Sequence, residues 1–175
     1  MNSPYMGNFK VTQQYKSATH DGLDLVGFDS KEVHSTVNGV VEYAGWENSS
    51  NKKQGFGQYV KIRDSKTGYR FYFGHLSKIN VKIGQNVKVT DVIGIEGSTG
   101  HSTGSHCHYC IRKNGKGTHI DVAAHSGIPN KCGTYNDGYS GKKTSTKTSS
   151  TTAKKSVAVR LEIDGKTYSG KLIEE

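Results

Sequence analysis

Three cysteines in 175 residues are too few, and odd in number, for a disulfide framework. Cys107, Cys110 and Cys132 are therefore expected as free thiols. No segment approaches the roughly 18 consecutive apolar residues of a membrane span, so membrane insertion is not expected. The opening Met1-Asn2-Ser3-Pro4-Tyr5 lacks the basic head and apolar stretch of a secretory signal, which predicts synthesis as a soluble cytoplasmic chain. A long helical apolar period is missing too, and no nucleic-acid-binding motif is present. Proline is scarce at two, whereas glycine reaches 22 and tyrosine ten. That balance favours a turn-rich all-β protein built on antiparallel strands.

Acidic charge is in short supply: the formal net charge is +9, and mean hydropathy is −0.68. Residues 1–140 carry 16 basic and 11 acidic side chains, and residues 141–155 add five lysines and no acid. Residues 156–175 hold three basic and four acidic groups. A basic chain of this kind suits an anionic partner such as a bacterial wall, although lysines in a solvated linker also promote solubility. Residues 141–155, rich in Lys, Ser and Thr, have almost nothing to bury and read as a flexible linker. The expected organisation is a main domain over 1–140, that linker, and a β-hairpin over 156–175 turning at Asp164-Gly165. The hairpin, with half-apolar strands, is assigned to targeting or self-association.

Within the main domain, residues 9–14 read as a short strand, and residues 37–46 as a strand with a glycine bend or bulge. Residues 58–63 and 69–75 read as paired strands, and 106–113 as a further strand ending at the Asn114-Gly115 turn. On a strand, side chains two apart share a face, so His106 and His108 converge on one patch. His20-Asp21-Gly22-Leu23-Asp24 repeats the even spacing with an imidazole and a carboxylate. At the mouth of a strand, His20, Gly22 and Asp24 would line one side, with Gly22 leaving room for an ion. Two imidazoles and one carboxylate leave a coordination position for water, as catalytic zinc sites require. A rival structural set would use His106, His108 and Cys110, with Cys107 facing away. His34, His101, His119 and His125 read as surface or loop residues.

Taken in order, His20-x-Gly22-x-Asp24, Asn38-Gly39-Val40, residues 55–60, Tyr72-Phe73-Gly74-His75-Leu76-Ser77, residues 81–87, Gly97-Ser98-Thr99-Gly100, Ser102-Thr103-Gly104 and His106-x-His108 form a specific series. The chain resembles the lysostaphin-type (LytM-like) zinc metallopeptidases, the peptidoglycan endopeptidases of bacteria and their phages. The resemblance implies one zinc ion held by His20, Asp24 and His108. It makes His75 and His106 the unligated catalytic histidines, and Tyr15 an oxyanion contact. Ser105, Cys107 and Cys110 depart from the family pattern, which has a proline, an apolar and an acidic residue at these places. The implied activity is hydrolysis of a peptide bond in the stem peptide or cross-bridge of peptidoglycan. With no leader read at the start, a phage or prophage endolysin released through a holin pore is the expected setting. Two other readings are an inactive wall-binding or hydrolase-activating relative and, from the glycine-punctuated segment 81–95, a biotinyl- or lipoyl-carrier module.

Overall fold

The computed structural model describes residues 2–113 and 118–138, and the backbone of two further strands, Ser156–Ile163 and Lys166–Ile173. The chain divides into a unit spanning Met1–Lys142 and another spanning Lys143–Glu175. The linker 141–155 and the turns at Asn114-Gly115 and Asp164-Gly165 lie outside the described residues.

In chain order the strands of the first unit are β1 (Asn8–Gln13), β2 (Gly22–Gly27), β3 (Glu32–His34), β4 (Gly39–Trp46), β5 (Gln58–Asp64) and β6 (Arg70–Gly74). They continue with β7 (Lys78–Ile79), β8 (Asn86–Val87), β9 (Val92–Ile95), β10 (Cys107–Arg112), β11 (His119–Ile120) and β12 (Gly133–Asn136). One short helix, α1 (Val122–Ser126), is capped by the Asp121 side chain, which accepts from the Ala124 amide. Strands β12-β1-β2-β10-β6-β5-β4-β8 form one sheet in that order, with β11 on β10, and β3-β9-β7 form a smaller one. All pairings are antiparallel. The expected all-β class is thus observed. In the second unit, β13 (Ser156–Ile163) pairs antiparallel with β14 (Lys166–Ile173) from Ile163↔Lys166 outward. No helix among the described residues is long and apolar enough to cross a membrane.

Period-two alternation gives the large sheet two different faces. Leu23, Leu25, Val60, Ile62, Phe71, Phe73, Tyr109 and Ile111 are wholly buried on one of them. Each such side chain contributes about 1.5–3 kcal/mol by leaving water. The opposite face carries Asp24 on β2 and His108 and Arg112 on β10. Tyr72 follows on β6 and Tyr59 on β5. Register puts Asp24 and Gly74 on either side of His108, so three neighbouring strands meet at one rung. The expected irregularity in β4 is present, but not at a glycine: the register slips between Val41 and Tyr43, at Glu42. The slip keeps Val41 in the core and turns Tyr43 onto the other face, where it stacks on Tyr59 at 4.6 Å. Glu42 there pairs with Lys61, Arg63 and Arg70.

His34 departs from the reading as a surface or loop histidine. It lies buried on β3, and its amide and Nδ1 both reach the Pro4 carbonyl. A polar side chain can be buried there because a carbonyl partner is supplied. The segment compared with a carrier module provides two short pieces, β8 at the edge of the large sheet and β9 in the middle of the small one.

Candidate metal centre

His20 sits two residues ahead of β2, held by a backbone bridge to Lys16. Its Nδ1 lies 2.8 Å from the Gln14 carbonyl. A carbonyl only accepts, so Nδ1 carries the hydrogen and Nε2 presents a lone pair. Nε2 points at Asp24 Oδ1, 3.1 Å away, and at His108 Nδ1, 3.2 Å away. The third side, His108 Nδ1 to Asp24 Oδ1, measures 2.8 Å. The other nitrogen of His108, Nε2, lies 3.1 Å from Asp21 Oδ1, a carboxylate acceptor. With both imidazoles neutral, three lone-pair atoms face one another, and an electron-poor species is needed between them. Metal–ligand bonds of about 2.0–2.1 Å in tetrahedral array put ligand atoms about 3.3 Å apart. Two nitrogens and an oxygen, each imidazole with its far nitrogen pinned to an acceptor, fit zinc.

Two more imidazoles stand beside this triangle. His106 precedes β10 and bridges to Gly97. Its Nδ1 lies 2.8 Å from the Gly104 carbonyl, which leaves Nε2 free to accept, 3.6 Å from Asp24 Oδ1. His75 follows β6 at a positive φ of 61°, a turn that swings its ring toward the triangle. Its Nδ1 lies 2.7 Å from the Thr99 carbonyl, and its ring centroid is 4.6 Å from that of His106 and 6.0 Å from that of His108. Four histidines from three stretches of chain thus gather around a common space. His20, Asp24, His106 and His108 keep 9–13% of their side-chain surface exposed, so water reaches the centre.

Charge follows the same geometry. Burial alone would raise the Asp24 carboxyl, but the imidazoles beside it, first His108 and then His20, hold it well below the usual carboxylate range. Asp21 is also held low, first by His108 and then, against burial, by Arg112. Burial works against a charged His108, yet Asp21 and Asp24 raise its pKa well above the ordinary value. In the metal-free protein a second proton on His108 therefore takes the place of the cation, and the two compete. Burial lowers His75 to about 4, despite the bond to Thr99. It is neutral near pH 7.

Residues 18–122 match the sequence model described as Peptidase family M23. The chain belongs to peptidase family M23. Glycyl-glycine endopeptidase ALE-1 of Staphylococcus capitis is 31% identical over 112 residues, covering 60% of this chain and 30% of the relative. Lysostaphin of Staphylococcus simulans is 36% identical over 90 residues, 51% of this chain and 17% of the relative. The chain spans less than a third of the length of the curated relatives it matches. Among solved structures, the catalytic domain of lysostaphin from Staphylococcus simulans superposes with a TM-score of 0.56 at 27% identity, covering 70% of this chain and 92% of that one. A catalytic domain of the prophage-encoded M23 protein EnpA from Enterococcus faecalis gives 0.57 at 26% identity, covering 69% and 94%.

Within this M23 domain His20, Asp24, His75, His106 and His108 are brought together. The Tyr15 backbone binds Asn130 and its ring lies edge-on to His119, 6.1 Å away. The room at Gly22 also has a different use from the one expected. A Cβ there would lie 2.7 Å from His108 Nε2 and from the Tyr109 carbonyl, so the glycine makes space for the His108 ring. Of the rival set, Cys107 faces away into the apolar core as expected, while Cys110 gathers with His108 and Asp21 instead of with His106. Asp21 and Arg112, joined at 2.7 Å, are the residues that sequence reasoning missed. Arg112 stands four residues after His108, an even spacing that keeps both on one face of β10 and is a signal for it. Asp21 precedes the strand, so alternation gives no hint of where it turns.

Proposed function

We propose that this chain is a zinc-dependent peptidoglycan endopeptidase acting on a peptide bond of the stem peptide or cross-bridge, in the manner of a phage-type endolysin. The convergence of His20, Asp24 and His108 with two further histidines carries the reading. The names of the relatives, a glycyl-glycine endopeptidase and lysostaphin, support the substrate class, and likeness to a prophage-encoded protein supports the setting. Action at the wall after holin-mediated release from a host cytoplasm belongs to the same proposal. An inactive relative would be expected to have lost part of the donor set, and all three donors are present.

His20 Nε2, Asp24 Oδ1 and His108 Nδ1 would hold the ion. Zinc supplies Lewis acidity, which polarises a scissile carbonyl and makes a water more nucleophilic. The remaining chemistry belongs to the chain. His106, with Nδ1 fixed on Gly104, accepts the water proton at Nε2 and later delivers it to the leaving amine. His75, neutral and with its hydrogen held on Thr99, offers a second acceptor at Nε2 and orients that water. Its tautomer suits this role better than donation to an oxyanion.

Purified protein should clear bacterial wall suspensions and release new amino termini. A zinc chelator should stop both, and added zinc should restore them. His106→Ala should lower the rate about 10²–10⁴-fold while zinc remains bound. Undiminished hydrolysis by that variant or under chelation would overturn the assignment. Removing residues 141–175 tests the tail: weaker wall binding or a smaller assembly is expected, and no change in either would refute targeting and self-association.

A further inference from the structure

Both ring nitrogens of His108 are engaged, and the second one is engaged by an elaborate support. Nδ1 faces Asp24 and His20, whereas Nε2 lies 3.1 Å from Asp21 Oδ1. The other oxygen of the same carboxylate, Oδ2, accepts a 2.7 Å bond from Arg112 Nη2. Arg112 is itself held over two neighbouring aromatic rings, with its guanidinium carbon 4.8 Å from the Tyr72 ring centroid and 5.5 Å from that of Phe56. Phe56 closes the circle, its ring 5.5 Å from His108. His108 and Arg112 share a face of β10, and Asp21 spans them from the mouth of β2. Rotating the carboxylate breaks an ion pair and a ring hydrogen bond at once.

We propose that Asp21, clamped by Arg112, is the positioning residue for His108. By accepting from Nε2–H it fixes the tautomer, so that Nδ1 keeps the lone pair a metal requires, and it stops the ring from turning. The role rests on the zinc reading above. A different use of these atoms is a second cation site, since the ligand atoms of Asp21, His108 and Cys110 lie within 4.8 Å of one another. Arg112 argues against it. Its guanidinium already neutralises Asp21 at 2.7 Å, and a cation in that group would face a fixed positive charge.

The test is zinc affinity of the full chain, measured by competition with a chromogenic chelator. It is read beside the melting temperature of the metal-free protein and the exchange-protected Nε2–H signal of His108 in the zinc form. In Asp21→Asn, a carboxamide shared between Arg112 and His108 must turn either its NH2 group to the guanidinium or its NH2 group to Nε2. Affinity should fall about 10–100-fold and the Nε2–H signal should be lost, while the metal-free protein still melts cooperatively. Asp21→Glu should recover part of the affinity. Arg112→Gln, which frees the carboxylate, should weaken zinc by a smaller factor, and it carries the test if Asp21→Asn does not fold. A loss below tenfold in folded Asp21→Asn, or unchanged affinity in Arg112→Gln where that variant carries the test, would overturn the proposal. Wild-type protein that binds no zinc would instead refute the metal-centre reading, and the positioning role with it.

Discussion

Strand β10 is buried on both faces, but for opposite reasons. On one face Cys107, Tyr109 and Ile111 join the apolar core, with the Tyr109 hydroxyl satisfied by Thr36 at 3.0 Å. On the other, His108, Cys110 and Arg112 are covered by Asp21, Asp24 and a layer of aromatic rings. The core face loses water because its atoms gain little from water. The site face tolerates losing water because its charged groups meet partners of opposite sign, Arg112 on Asp21 and His108 on Asp21 and Asp24, although Arg112 Nε is buried without a hydrogen-bond partner among the described residues. The same strand therefore stores stability on one side and reactivity on the other, and substitutions should separate the two.

The largest separation is expected between His108→Ala and Phe73→Ala. Removing the imidazole takes away one of the three proposed metal donors. Several kcal/mol of transition-state stabilisation are at stake, so hydrolysis should fall about 10³-fold or more. Wall-degradation rates together with zinc content check this. Phe73, paired with Tyr109 across the strands and wholly buried, should instead cost about 3–5 kcal/mol of stability on truncation. Denaturant melts measure that loss, and the folded fraction of Phe73→Ala should bind zinc as the parent does. A core variant that lost zinc without losing stability would break the contrast.

How much of this was legible in the sequence also differs between the faces. Core strands were readable because apolar residues at every second position, as in Leu23 and Leu25 or Phe71 and Phe73, mark a buried face directly. His106 and His108 were readable by the same alternation, and His20 and Asp24 by their even spacing. His75 required the family resemblance, since a positive φ after a strand leaves no periodic trace. Asp21, the placing of the β4 bulge at Glu42 and the burial of His34 were not readable. Each depends on which groups a distant segment supplies: His108 and Arg112 for Asp21, β5 for Glu42, Pro4 for His34.

The pH response of the metal-free protein sharpens the comparison next. Burial holds His75 near 4 in the folded state, while an unfolded imidazole titrates near 6.5. Between those values the unfolded chain binds more protons, so stability falls as pH drops through that window. The loss should reach up to about 3 kcal/mol below pH 4. His75→Gln removes this contribution, so the stability difference between parent and variant should shrink or reverse on going from pH 7 to pH 4. A pH-independent difference, measured by denaturant melts at each pH, would contradict a neutral buried ring. Gly22→Ala should act more modestly. Its methyl group pushes on the His108 ring and the Tyr109 carbonyl, and zinc affinity should weaken about tenfold.

The smallest effect isolates the two faces with one chemical change at two places three residues apart. Cys107 lies wholly within the core cluster, and burial raises its thiol pKa well above the ordinary value. Cys107→Ser puts a hydroxyl into the core cluster, where the Gly74 backbone is its hydrogen-bonding neighbour, at a cost of about 1–3 kcal/mol. Cys110 is equally buried but stands with Asp21 and His108, whose carboxylate and ring nitrogen can pair with a hydroxyl. Cys110→Ser should therefore be the milder substitution by about 1 kcal/mol. If equilibrium melts found the two equal, or reversed, then burial alone would set the cost of a polar atom on this strand. Partners would not matter, and the distinction between its faces would fail at the level of a single oxygen.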